Sequence, residues 1–121
     1  MKILTLNLSG AEVTVNMGPN YFFECFLRET GVDLYKEGLV DPGSINMVKY
    51  VKGFLVAGAQ AHAYASGGEV PDLDGIRRAV DLMDDKETVE VFLKLAACRS
   101  GESYDELKKK ADQIAESLLA G

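Results

Sequence analysis

A chain of 121 residues with 47% apolar and 26% charged side chains is long enough for one real core and has the make-up of an ordinary globular domain. Thirteen basic against nineteen acidic side chains leave a net charge of −6, which speaks against a phosphate-backbone binder and against docking on anionic lipid. Two distant cysteines without a CxxC, and a single histidine, cannot furnish the four ligands of a structural zinc site, so no metal is expected.

Residues 1 to 8, MKILTLNL, are too short for a signal peptide. The longest charge-free run, residues 53 to 68, falls below the roughly 20 residues of a membrane span. The chain is therefore expected in the cytoplasm, with Cys25 and Cys98 as buried free thiols.

The N-terminus reads as a β-hairpin. Leu4, Leu6 and Leu8 alternate with polar residues, as do Val13, Val15 and Met17, around a two-residue turn at Ser9-Gly10. Closing the chain there opposes Leu8 to Ala11, Leu6 to Val13 and Leu4 to Val15. All the large apolar side chains then share one face, which must be covered, since a lone hairpin is marginal in water.

After the break at MGPN, Asn20 is the expected N-cap of a helix whose stripe is Phe22, Phe23, Phe26 and Leu27. Gly31 is its expected left-handed C-cap, with Val32 folding back on the last turn. Cys25 as a nucleophile would need a base, and His62 is the one imidazole. Nothing local supports that pair, and a core helix is the expectation.

DLYKEGLVDPGS, residues 33 to 44, reads as a connector with one short helical turn. Asp41, Pro42 and Ser44 offer start signals for the longest helix, about 44 to 66. Its stripe is Met47, Val51, Phe54, Gly58, Ala61 and Ala65, widened by Val48, Leu55 and His62. Beyond residue 56 it is apolar or small nearly all round, as in a central buried helix. Gly53 and Gly58 each cost roughly 1 kcal/mol there relative to Ala, which close packing would offset. Ala57, Ala61 and Ala65 would likewise admit a neighbouring backbone, and His62 is expected to be a satisfied boundary residue rather than a ligand.

SGGEVP ends that helix. Asp72 or Asp74 caps the next, with Leu73, Ile76, Val80 and Met83 inward and Arg77, Arg78 and Asp81 toward water. Asp84 and Asp85 start a helix over 86 to 99, closed by Arg99, with Val89, Phe92, Leu93 and Ala96 buried and Cys98 near them. The two acids read as caps, because no calcium-loop spacing surrounds them. The last segment opens with a capping box, Ser103 with Glu106. Tyr104, Leu107, Ala111, Ile114 and Leu118 follow as an a/d seam too short for a coiled coil. That seam either closes the domain core or receives a partner. Lys108 to Lys110, flanked by acids, read as a solvated face.

These elements make a mostly helical α+β domain spanning 1–121. A β-hairpin occupies 1–18, a helical core 20–100 and a C-terminal amphipathic helix 103–120, with four to five helices in all. No P-loop, GxGxxG, HExxH or GxSxG occurs, so no catalytic residue and no cofactor is assigned. The alternatives are an acidic adaptor or inhibitor, and a small-molecule or thiol enzyme domain using Cys25 and His62.

The order of segments resembles a known family. A strand-turn-strand start, an aromatic helix running into TGVDL, a LVAGAQAHA helix and then PDLDGIRRAVDLMDD are similar to the tail assembly chaperones of long-tailed bacteriophages, over roughly residues 1 to 100. The resemblance implies a non-enzymatic protein of the bacterial host cytoplasm that binds the tape-measure protein. It would keep that protein soluble and help recruit tail-tube subunits, with self-association and no nucleic-acid or membrane partner. It also implies a longer form made by frameshifting, of which Lys108 to Lys110 could mark the slippery codons. The residues expected to meet the partner are Tyr104, Leu107, Ile114 and Leu118.

Overall fold

The fold is taken from a computed structural model that describes residues 2–34 and 46–120, without the side chains of residues 111 and 114–120 in the last helix. Two antiparallel strands, β1 (Ile3–Leu8) and β2 (Ala11–Asn16), come first. Five helices follow among the described residues: α1 (Asn20–Thr30), α2 (Met47–Ser66), α3 (Leu73–Asp81), α4 (Asp85–Ser100) and α5 (Tyr104–Ala120). The architecture is α+β and mostly helical. Nearly all of the expected connector, with Asp41, Pro42 and Ser44, lies outside the described residues.

The hairpin register is the expected one, with Leu4 opposite Val15, Leu6 opposite Val13 and Leu8 opposite Ala11. Ser9 and Gly10 both have positive φ, 52° and 87°, as a tight turn that follows the strand twist requires. Asn7 Oδ1 accepts from the Gly10 N–H at 2.9 Å and braces the turn. Leu6, Leu8, Val13, Val15 and Met17 are buried on one face. On the other face Thr5 and Thr14 pair through their hydroxyls at 2.9 Å.

The buried face lies on α2, the central element, which touches α1, β2, α3 and α4. From Gly53 to Ala59 every residue of α2 is buried. Its two interior glycines sit where other elements approach most closely. A Cβ at Gly58 would stand 2.5 Å from Val15 Cβ, and one at Gly53 would meet Thr30 and Phe26. Opposite Gly53, Phe22, Phe26, Tyr50 and Phe54 form an aromatic cluster, with Phe26 and Phe54 centroids 5.1 Å apart.

Several boundaries and faces depart from expectation for local reasons. Pro19, not Asn20, holds the N-cap of α1, and its carbonyl accepts from Phe22 N–H at 3.0 Å. The buried face of α1 is Phe22, Cys25, Phe26 and Thr30, while Leu27 is 45% exposed. Thr30 and Phe26 lie against α2 at Gly53, and with that face inward Leu27 is turned outward. Thr30 Oγ1 satisfies itself on the Phe26 carbonyl at 2.7 Å and accepts from Val32 N–H. Gly31 closes the helix in the left-handed region, φ 75°, as expected.

α2 starts later than residue 44, because Asn46 caps it by accepting from Lys49 N–H at 3.1 Å. It ends at Ser66, where Ala65 and Tyr64 lie beyond the last packed turn and are exposed. Asp72 rather than Asp74 caps α3, and Asp84 caps α4 by accepting from Glu87 N–H at 2.8 Å. In α4 the buried set is Thr88, Phe92, Leu93, Leu95 and Ala96, and Val89 faces outward at 39% exposure. Thr88 can join that face because its hydroxyl donates to the Asp84 carbonyl at 2.8 Å, leaving only its methyl to bury. Arg77 and Asp81 do not simply face water. Arg77 forks onto both Glu29 oxygens, at 3.0 and 2.7 Å, and so ties α3 to α1, and Lys52 reaches Asp81 at 2.7 Å.

A candidate interaction surface

Rotating α1 onto its small residues leaves an apolar flank outside. Tyr21, Phe23, Glu24 and Leu27 from α1, Tyr64 from the end of α2, and Asn20 and Asp33 line an open cleft of about 530 Å³. Tyr64 is 73% exposed and its ring lies 4.6 Å from that of Tyr21. Phe23 is half-buried against the core beneath it. A second, smaller hollow of about 230 Å³ lies between the hairpin turn and α4, lined in part by Leu8, Met83, Glu87 and Lys94.

Beside the cleft the Arg99 guanidinium lies over the Phe23 ring, 5.7 Å from its centroid. Its Nε is enclosed without an acceptor, and burial pushes its pKa down. The expected role of Arg99, complementing the C-terminal dipole of its helix, is thus joined by contact with an aromatic ring of α1.

The residues expected to meet a partner divide. Tyr104 and Leu107 pack, partly buried, against the core, while the side chains of Ile114 and Leu118 lie outside the described residues. The Ser103 hydroxyl accepts from Glu106 N–H at 3.1 Å, so the capping half of the expected box is formed. Lys110 pairs with Glu102 at 3.3 Å.

Cys25 is 1% exposed, and burial is the main cause that raises its thiol above the ordinary value. The side chains acting on it are Tyr21, Arg28 and Glu24, with no imidazole among them. Cys98 is half-buried and raised by burial too, so only one of the two thiols is deeply enclosed as expected. A protonated, enclosed thiol is a poor nucleophile. Among the described residues no cluster of three His, Cys, Asp or Glu could hold a metal, and no helix is long and apolar enough to cross a membrane.

Sequence reasoning missed Tyr21, Tyr64 and Arg99. Tyrosines at the ends of apolar helix stripes were the available signal, since an amphipathic ring suits a half-wet position. Arg99 carried no signal, because its neighbour Phe23 is 76 residues away in the chain. No family model, curated protein or solved structure matches this chain.

Proposed function

We propose that this chain is a non-enzymatic tail assembly chaperone of a long-tailed bacteriophage, acting in the host cytoplasm. It binds the tape-measure protein, keeps that long helical chain soluble and helps recruit tail-tube subunits. The observation that carries the reading is the apolar cleft along α1. Leu27, which periodicity would bury, and Tyr64 stand at the surface beside Phe23. An open aromatic and aliphatic groove on a helix flank is a surface on which the apolar face of another helix can lie. The segment order that resembles the chaperone family supplies the identity of that helix. A net charge of −6 supports leaving nucleic acid and lipid out of the partner set. The enclosed Cys25 argues against the thiol-enzyme alternative.

The test is co-expression with the long helical protein encoded next to this chain. The expected result is that the long protein is recovered soluble, in a complex with several copies of this chain, and aggregates without it. Equal insolubility with and without the chain, or no tape-measure-length reading frame beside the gene, would sink the proposal.

A further inference from the structure

Two ion pairs tie α3 to neighbouring helices, and in both the carboxylate stands where its own helix disfavours it. Arg77 of α3 forks onto both oxygens of Glu29, in the last turn of α1, at 3.0 and 2.7 Å. Lys52 of α2 reaches Asp81, the last residue of α3, at 2.7 Å. A helix C-terminus carries a partial negative charge that repels an acid placed there. These two carboxylates therefore serve the contact between elements rather than the helices that bear them. The Glu29 side chain is only 17% exposed, so leaving it without its cation is costly. The apolar hold on α3 is small by comparison. Ile76 and Val80 are its buried residues, with Leu73 and Ala79 half-buried beside them, and the helix rests on α2. Every residue of the connection leading into it, 67 to 72, is exposed, and Leu82 just after it is 77% exposed.

We infer that α3 is an ionically latched strap. It comes off α2 and unfolds as a unit while the rest of the fold stays closed, and the Arg77–Glu29 and Lys52–Asp81 pairs set how often it does so. A helix of nine residues is too short to persist alone in water, so release and unfolding go together. The exposed connection, with Gly67 and Gly68 at its start, lets the helix leave without pulling on α2. Opening uncovers the flank of α2 that carries Lys52. Val56 and Ala59 lie one and two helical turns beyond Lys52 on that flank and are buried when the strap is shut. Both latches are charge pairs partly open to water, so ionic strength is the signal to which the strap responds. The strap belongs to the chain alone, whatever partner the cleft along α1 receives.

Hydrogen exchange of the whole chain, read by mass spectrometry on peptides from α3 and α2 at low salt and at about 0.5 M salt, tests it. After correction for intrinsic rates, amides of residues 76 to 83 should exchange at least about tenfold faster than those of residues 54 to 59. The higher salt should speed α3 about threefold and leave α2 unchanged. Glu29→Gln and Lys52→Met lie outside α3 and leave its own sequence intact. Each should nevertheless speed its exchange about fivefold, with residues 54 to 59 again unmoved. Lys52→Glu should speed α3 as well, and adding Asp81→Lys in the same chain should return it toward the wild-type rate. Equal exchange in α3 and α2, an α3 rate indifferent to salt, variants that speed both helices alike, or a charge swap that stays fast would each overturn the inference. Circular dichroism checks that the variants fold, and the salt series needs no variant.

Discussion

Replacing Gly58 by alanine probes how closely the hairpin rests on the central helix. A methyl group there would stand 2.5 Å from Val15 Cβ, 3.0 Å from its Cγ1 and 3.3 Å from its Cα. Carbon atoms rest at about 3.5–4.0 Å, so at least ~1 Å of separation is missing. No rotamer change relieves it, because the nearest atom is a Cβ fixed to a strand whose register is set by the Leu4–Val15 pairing. α2 and β2 must therefore move apart where both Val15 and Gly58 are fully buried. Overpacking of this kind costs about 1–3 kcal/mol. Alanine returns roughly 1 kcal/mol of helix propensity, so the expected net loss is ~1 kcal/mol at the middle of that range and ~2 kcal/mol at its upper end. That corresponds to a melting temperature lower by about 5 °C for a chain of this size. Urea titration and thermal melts followed by circular dichroism measure both. Gly53→Ala is the parallel case at the α1 contact, since its added methyl would meet Thr30 Cγ2 and stand 2.7 Å from the buried Phe26 ring, and it should cost a similar amount. A Gly58→Ala protein as stable as wild type would refute the close contact between helix and hairpin.

Further expectations concern the core, the ion pair and the thiols. Phe54→Ala removes the ring at the middle of the aromatic cluster and should cost about 3–5 kcal/mol in urea unfolding; a loss under ~1 kcal/mol would contradict its central place. A double-mutant cycle on Arg77 and Glu29 should show a coupling of about 1 kcal/mol, reduced by salt because Arg77 is 35% exposed. Arg77→Lys should recover little of that coupling, since an ammonium cannot fork onto both oxygens. Both thiols are raised by burial, so the folded chain keeps their protons to higher pH than the unfolded chain does. Stability is then level below the unfolded thiol value of about 8.5 and falls as pH rises through the folded range, by at most ~1.4 kcal/mol per unit for each thiol. Urea midpoints from pH 7 to 10 should show that fall, and a chain with both cysteines replaced by alanine should lose it. At pH 8 iodoacetamide should modify half-buried Cys98 well before Cys25, and the reverse order would reopen a chemical role for Cys25.

Local rules made much of the fold legible. Strict alternation around Ser9-Gly10 specified the hairpin down to its register, because a slip of one residue would turn every leucine outward. The length and smallness of residues 53 to 63 marked α2 as the buried centre. Asp84, Ser103 and Gly31 announced helix ends through bonds that form within a single turn. What local pattern could not specify was which of two overlapping stripes on a helix faces inward. In α1, Phe22 and Phe26 belong to both, and the inward face is completed by Cys25 and by Thr30, which with Phe26 meets the glycine that α2 presents at Gly53. In α4, Thr88 reads as polar until its hydroxyl is seen bonded to the Asp84 carbonyl.

The candidate surface was the least legible part. Its members come from positions 20 to 27, from 33 and from 64, with Arg99 beside them on Phe23, and only packing brings them together. The sequence by itself determined the hairpin and its register, the run of helices, the central place of α2 and the acidic charge, since each follows from periodicity, capping or composition within a short stretch. Tertiary structure decided the rotation of α1, the exposure of Leu27 and Tyr64, the Arg77–Glu29 tie and the stacking of Arg99 on Phe23. Those depend on how closely backbones approach and on which distant side chain stands opposite, and neither is encoded in any one segment.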